Sequence, residues 1–175
     1  ELADWADILV IAPATADCIA KLRNGFADSP LQAVALATKA PILIAPAMNV
    51  NMYEHEATKE NIEVLRSRGI EFVDPEAGSL ACGWIGAGRL ASPWEIFHNI
   101  TRTLSSKPLL GKKVVITAGP TREALDPVRF LSNRSTWKMG IALARECYRR
   151  GAEVTLIHGP IKPKVPAAVK TVSVT

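Results

Sequence analysis

The sequence predicts a parallel α/β protein in two unequal parts. Three observations carry this reading: short apolar runs rich in Val and Ile, helix-length stretches lying between them, and a reversal of charge part-way along the chain. The runs do not alternate apolar with polar, which points to strands buried on both faces of a sheet.

The first run, Ile8 to Ala12, reads as a strand, and Ile42 to Ala45 as a second. The stretch Thr58 to Arg68 reads as a helix, with Thr58 as N-cap, Ile62 and Leu65 three apart on its apolar face, and Gly69 as its stop. A weaker strand follows at Ile70 to Val73. Further on, Val114 to Thr117 and Val154 to Ile157 are strands flanking a helix at Lys138 to Arg150. In that helix Met139, Leu143 and Cys147 recur every fourth position, which predicts a core-facing stripe, and Gly151 ends it. Lys162 to Lys170 reads as a proline-containing loop.

Composition narrows the function classes. The 175 residues are 48% hydrophobic and 22% charged, which suits a folded core rather than a disordered chain. No uncharged apolar run nears the roughly 18 residues that a membrane-spanning helix needs. Three scattered cysteines make no disulfide framework and no metal-ligand spacing, so the expectations are a reducing cytoplasm and no metal site. The start, Glu-Leu-Ala-Asp-Trp, has neither an initiator Met nor a leader, and the chain reads as an interior piece of a longer protein. Residues 1 to 104 carry 8 Lys and Arg against 13 Asp and Glu, whereas residues 105 to 175 carry 13 against 4. The basic half has no aromatic-interleaved Arg run and no zinc-finger spacing, so phosphorylated small molecules are expected there rather than nucleic acid. The boundary falls near Ser105, inside Thr103 to Lys113. The second part then holds one βαβ passage, too little for a complete doubly wound sheet.

In such sheets ligands bind beyond the carboxyl ends of the strands, so the loops after each strand are the candidates. Pro13-Ala14-Thr15-Ala16-Asp17 offers a hydroxyl, a carboxylate and a helix start, either for a phosphate or as an ordinary N-cap. Pro46-Ala47-Met48-Asn49-Val50-Asn51-Met52 puts amides beside methionines, where Asn49 either orients a carboxylate or closes an Asx-turn. Between Gly78 and Arg89 four glycines surround Cys82, a composition suited to a flap with an accessible thiol, while Cys18 and Cys147 read as packing residues. Residues Gly86 to Ala91 fit a G-x-G-x-x-A dinucleotide pattern, but no strand is predicted before them and the match is rejected. In the basic half, Ala118-Gly119-Pro120-Thr121-Arg122-Glu123 is a turn suited to close backbone approach. It is followed by Asp126 to Gly140, with three cations and three hydroxyls before a helix start. His55, His98 and His158 lie far apart and read as surface or capping residues.

The strings APATAD at 12 to 17, PAMN at 46 to 49, LACGWIGAGR at 80 to 89, and ITAGPTRE, DPVRFLSNRS and KMG in the second half occur here in one order. In that order the chain resembles the bifunctional coenzyme A biosynthesis flavoproteins, which join a phosphopantothenoylcysteine decarboxylase to a phosphopantothenate–cysteine ligase. The resemblance implies a flavodoxin-like flavoprotein domain over 1–104, a linker at 105–108, and the start of a Rossmann-like ligase domain over 109–175, with the first domain truncated at its N-terminus and the second at its C-terminus. It implies FMN as cofactor, contacted by Thr15, Ala16, Asp17 and Ala47. Asn49 is implied as the residue holding the substrate carboxylate of 4′-phosphopantothenoylcysteine, and Cys82 as the flap acid. The family's catalytic histidine falls just before residue 1. For the second half the resemblance implies CTP with Mg2+ as co-substrate, activating 4′-phosphopantothenate for attack by cysteine. Gly119, Ser135 and Gly140 then stand at nucleotide contacts, Asn133 at the acyl-cytidylate, and Arg129 and Lys138 as charges for anions. Trp137 stands where the family usually has glycine. A homo-oligomer with flavin sites built between subunits is also implied. The rival expectation is a noncatalytic flavoprotein-like assembly subunit.

Overall fold

The computed structural model describes residues 2–79 and 85–174. Contacts divide the chain into two compact units, Glu1–Ile100 and Thr101–Thr175.

The first unit opens with the short helix α1 (Leu2–Trp5) and the strand β1 (Leu9–Ala14). Helix α2 (Ala16–Asn24) starts at Thr15, whose hydroxyl accepts from the Cys18 N–H at 3.2 Å, and stops at Gly25, where φ is 74°. Helix α3 (Pro30–Ala37) begins on a proline, whose missing N–H has no partner to lose at that position. Then come β2 (Ile42–Pro46), α4 (Val50–Glu54), α5 (Glu56–Ser67) and the two-residue β3 (Glu71–Phe72). The strands form a parallel sheet in the order β1-β2-β3, with Ile11 opposite Ile44 and Ala14 opposite Pro46. On one face Ile11, Ile19, Leu22, Ile44, Ile62 and Leu65 form a buried cluster; Leu43, Ala45, Val73 and Ala91 form a second. Both faces being covered is why the strands read as unbroken apolar runs.

Helix α5 starts earlier than the sequence predicts. His55 is its N-cap, with Nδ1 accepting from the Ala57 N–H at 3.2 Å, and the expected cap Thr58 lies buried in the first turn. An antiparallel hairpin, β4 (Glu76–Ser79) and β5 (Ile85–Arg89), and helix α6 (Pro93–Leu104) complete the unit. Residues 80–84, with Cys82 among them, lie outside the described residues.

In the second unit the last turn of α6 places Arg102 over the Tyr148 ring, 4.1 Å from its centroid, and its guanidinium donates to the Tyr148 carbonyl. Strand β6 (Lys113–Ala118) is followed by the small hairpin β7 (Glu123–Ala124) and β8 (Phe130–Leu131), helix α7 (Lys138–Arg149), β9 (Glu153–His158) and β10 (Lys170–Ser173). The sheet is parallel in the order β10-β9-β6, with Ala118 opposite His158. Its core holds Ala118, Ile141, Ala144, Tyr148, Val154, Leu156 and Val169.

The stripe expected on α7 is displaced. Met139 is 75% and Leu143 49% exposed, while Gly140, Ile141, Ala144 and Tyr148 face the sheet. Gly140 fits there because a Cβ would stand 2.6 Å from the Ala118 Cβ. Helix and sheet thus approach closely at Gly140 and Ala144, with Ile141 and Tyr148 completing the buried face, while Met139 and Leu143 lie outside it. His158 also departs from expectation: it is buried, with Nδ1 2.7 Å from the Gly159 carbonyl oxygen. No helix among the described residues is long and apolar enough to cross a membrane.

Near the end of α7, Glu146 receives Arg149 and Arg150, each at 2.6 Å. These hydrogen bonds, that of Arg149 foremost, lower its carboxyl from 4.5 to about 2. A depressed carboxyl stabilises the fold above its unfolded value, and that contribution is lost as pH falls through the folded one. We therefore expect Glu146→Gln to be less stable than the parent at pH 7, by under ~1 kcal/mol for so exposed a cluster. Urea unfolding should show the gap closing between pH 4.5 and about 2; a gap that persists at the acid end contradicts the assignment.

Candidate functional site

The carboxyl ends of β1 and β2 lie side by side, and the turns leaving them are tied together by the Ala47 N–H donating to the Ala14 carbonyl at 3.0 Å. This brings Thr15, Ala16, Asp17, Ala47 and Asn49 to one edge of the first sheet. The accessible side chains along this edge are small, Ala12, Ala16 and Ala47, while Ala14 is buried beneath them. At the first turn of α2, Thr15 satisfies the Cys18 N–H, while the preceding helical N–H groups have no partner within the helix. Thr15 and Asp17 are exposed, and Asp17 pairs loosely with Lys21 at 3.4 Å. An exposed hydroxyl, a helix start and small neighbouring side chains are compatible with a phosphorylated, flat-ringed cofactor such as FMN. Cys18 is a packing residue, as the sequence predicts: it is half-buried, and burial, then Asp17, pushes its thiol up.

Asn49 caps α4, with Oδ1 accepting from the Asn51 N–H at 2.8 Å. The Asx-turn alternative therefore holds, and it fixes the amide in place. The two methionines of this loop part company: Met48 packs against the core, and Met52 is 48% exposed.

The decisive contact was not legible in the sequence. The Met48 N–H donates to the Gly88 carbonyl at 2.9 Å, which clasps β5 onto the turn that carries Asn49. A Cβ on Gly88 would stand 2.3 Å from the Met48 carbonyl oxygen, and one on Gly86 would stand 2.8 Å from Val50 Cγ2. The G-x-G at 86 to 88 is thus a packing device. Because β5 is the second arm of the hairpin whose connection contains Cys82, the clasp sets the base of that hairpin beside Asn49.

In the second unit Gly119 and Ser135 meet: Ser135 Oγ donates to the Gly119 carbonyl at 3.0 Å, and the Ser135 N–H donates to Asn133 Oδ1 at 2.9 Å. Gly140 lies against the end of β6 through its contact with Ala118. Arg129, in contrast, turns onto its own loop, with Nε 2.5 Å from Asp126 Oδ2, and Asp126 also accepts the Val128 and Arg129 N–H groups. The Arg129 guanidinium, then these N–H groups, hold the Asp126 carboxyl below the usual range. Lys138 faces a separate groove with Trp137, whose φ of 53° is the left-handed value that glycine favours. Sequence reasoning also missed Gly159, where a Cβ would stand 1.7 Å from the Pro120 carbonyl oxygen, so the loops after β6 and β9 touch.

Two parallel sheets with glycine-tightened loops at their carboxyl ends define an open α/β class of protein, in which ligands bind at that end of the strands. A family model described as Flavoprotein matches residues 1–105, and one described as DNA/pantothenate metabolism flavoprotein C-terminal domain matches residues 109–175. The chain belongs to the flavoprotein family. It is 53% identical over 169 residues to the coenzyme A biosynthesis bifunctional protein CoaBC of Bacillus subtilis, covering 95% of this chain and 42% of the relative. It is 48% identical to that of Escherichia coli K12, covering 99% and 43%. The chain therefore spans less than half the length of these curated relatives. Among solved structures it is similar to a cysteine-to-serine mutant of a PPC decarboxylase complexed with pantothenoylaminoethenethiol, at TM-score 0.54 and 35% identity over 55% of this chain and 54% of that one. It is also similar to the FMN binding protein AtHal3, at TM-score 0.50 and 36% identity over 55% and 53%. The first unit thus has a flavodoxin-like flavoprotein fold.

The clasp makes a direct prediction. Gly88→Ala should destabilise the first unit by about 2 kcal/mol or more, since the new methyl collides with fixed backbone. Amide exchange at Met48 should accelerate by at least tenfold; unchanged protection there means the clasp does not hold the hairpin.

Proposed function

We propose that this chain is part of a coenzyme A biosynthesis protein that decarboxylates 4′-phosphopantothenoylcysteine to 4′-phosphopantetheine with FMN and also ligates 4′-phosphopantothenate to cysteine with CTP. The observation that carries the reading is the Met48–Gly88 clasp, because it joins the Asn49 turn to the hairpin bearing Cys82. The match of the second part to the pantothenate-metabolism model and the curated relatives support the ligase half. In this reading residues 1–104 are the decarboxylase part, 105–108 a linker and 109–175 the start of a Rossmann-like ligase domain. The assembled protein is a cytoplasmic homo-oligomer.

Decarboxylation needs an electron sink, because the carbanion left by a simple α-amido carboxylate has none. FMN, when bound, would supply the redox chemistry this needs, a two-electron oxidation of the cysteinyl thiol to the thioaldehyde level that is reversed at the end of the cycle. The chain's own residues do the rest. Thr15, Ala16, Asp17 and Ala47 would hold the cofactor. Asn49, oriented by its bond to the Asn51 N–H, uses its amide to hold the substrate carboxylate. Cys82 donates the proton to the ene-thiol carbon on the closed hairpin, away from bulk water.

In the second part, Gly119, Ser135 and Gly140 shape the nucleotide turn, and Asn133 supports the acyl-cytidylate. Lys138 offers charge to anions, and Arg129 does so once it leaves Asp126. The 4′-phosphopantothenate carboxylate would attack the α-phosphorus of CTP, accompanied by Mg2+, breaking the α–β phosphoanhydride bond and releasing pyrophosphate to give the acyl-cytidylate, and the amine of cysteine would then displace CMP.

The test uses the parent-length protein with FMN and follows CO2 release from 4′-phosphopantothenoylcysteine. Cys82→Ser should keep the flavin absorbance through desalting and lower turnover by roughly 100-fold or more, the range of general acid catalysis. Full activity in that variant removes Cys82 from the proton step. Flavin binding without CO2 release in the unaltered protein turns the assignment to a noncatalytic assembly subunit. For the ligase half, Trp137→Gly should raise the rate of CTP-dependent acyl-cytidylate formation, because the indole stands beside the nucleotide turn; equal rates show that it is no obstacle.

A further inference from the structure

Lys21, in the middle of α2, bridges two carboxylates: its ammonium lies 2.9 Å from Asp28 Oδ2 and 3.4 Å from Asp17 Oδ2. The two acids come from different places. Asp17 is in the first turn of the same helix, one turn back, and Asp28 is in the connection to α3. Gly25, in the left-handed conformation, ends α2 and turns the connection back, so that the Phe26 N–H donates to the Lys21 carbonyl at 3.1 Å. Lys21 is thus held to the connection by its main chain and its side chain together. The hydrogen bond from Asp28, then the charge of Asp17, raises the lysine above its usual value, so the ammonium stays charged.

We propose that Lys21 is a positioning residue for the flavin site and acts through Asp17, an inference that rests on the FMN reading of the turn between β1 and α2. Asp17 is the second residue of α2, where N–H groups without intrahelical partners attract a carboxylate. Left to itself, so exposed an Asp side chain turns onto nearby backbone N–H groups and occupies the donors that a ligand needs. Thr15 takes the Cys18 N–H, which leaves the earlier N–H groups of the turn as the ones at stake. Among the described residues the one ion-pair partner of Asp17 is Lys21, and it draws the carboxylate the other way, toward the carboxyl end of the helix. The anchor matters as much as the charge. A free lysine loses much rotamer freedom when it fixes a partner, whereas Lys21 has already lost it to Asp28, the closer of its two acids. Asp28 thus lets Lys21 hold Asp17 in one orientation while the first turn of α2 stays open.

The experiment uses the parent-length protein and measures FMN affinity by the quenching of flavin fluorescence. Lys21→Met should weaken FMN about fivefold, the upper end of what a partly exposed ion pair supplies, and Lys21→Arg, which keeps the charge, should recover most of that loss. With Asn at position 17 there is no carboxylate to hold, so adding Lys21→Met to Asp17→Asn should change the affinity by less than about twofold. A lysine that only stabilises the helix would weaken FMN equally in both backgrounds. Glu60→Gln removes another exposed pair made by α2, Arg23 with Glu60 at 3.2 Å, and should leave FMN affinity within about twofold of the parent. Unchanged affinity in Lys21→Met, or an equal loss with Asp and with Asn at position 17, overturns the role. An unaltered protein that takes up no FMN fails the cofactor reading and this role with it, whereas FMN bound equally by the parent and by Lys21→Met fails the role alone.

Discussion

The candidate decarboxylase site depends on a single backbone hydrogen bond made where a side chain cannot fit. The Met48 N–H reaches the Gly88 carbonyl only because Gly88 has no Cβ, and a methyl there would stand 2.3 Å from the Met48 carbonyl oxygen. Without that contact the β4–β5 hairpin would be a two-stranded ribbon of small residues, a kind of element marginally stable by itself in water. With it, the hairpin is fastened to the end of β2, which is buried on both faces. Precision at the site is thus transmitted from the apolar sheet through one turn to the arms of the flap.

The second unit reaches the same end by the same means. Gly140 lets α7 settle onto Ala118, and Gly159 lets the loop after β9 touch Pro120, so the loops at the carboxyl end of that sheet are also drawn together by missing side chains. Ser135 then bonds the Gly119 carbonyl and closes the turn. In both units the strands supply stability, and the glycines decide where the loops lie.

Much of the scaffold was legible because β1, β2, β6 and β9 each contain the apolar run that announced them; burial on both faces accounts for the run in β2, whereas β6 alternates, with Val115 65% exposed, so the expectation of two covered faces does not hold there. The candidate loops were legible because topology sends ligands to the carboxyl ends of parallel strands. What escaped the sequence has a common physical reason. The buried face of α7 is made by Gly140, Ile141, Ala144 and Tyr148, and glycine and alanine carry too little hydropathy to mark a face, so Met139 and Leu143 drew the reading to the wrong stripe. The hairpin arms, rich in Gly and Ala, show no alternation. His55 displaced Thr58 as cap because an imidazole nitrogen three residues upstream can accept the same class of backbone bond.

Trp137 shows how the second unit balances local strain against burial. It is the one non-glycine residue with positive φ among the described residues, and that conformation costs roughly 1–2 kcal/mol for an L side chain. The indole is only 40% exposed. An enclosed Trp buries roughly 150–250 Å², and the covered part of this one, at about 25 cal/mol per Å², contributes about 2–4 kcal/mol. As an upper bound this burial offsets the backbone cost, so a bulky residue is tolerated at a helix entry that glycine would fit without strain. The same comparison separates stability from access. Removing the indole releases strain and opens the approach to the nucleotide turn, yet it forfeits the burial that offsets the strain, so access and packing oppose each other at this position.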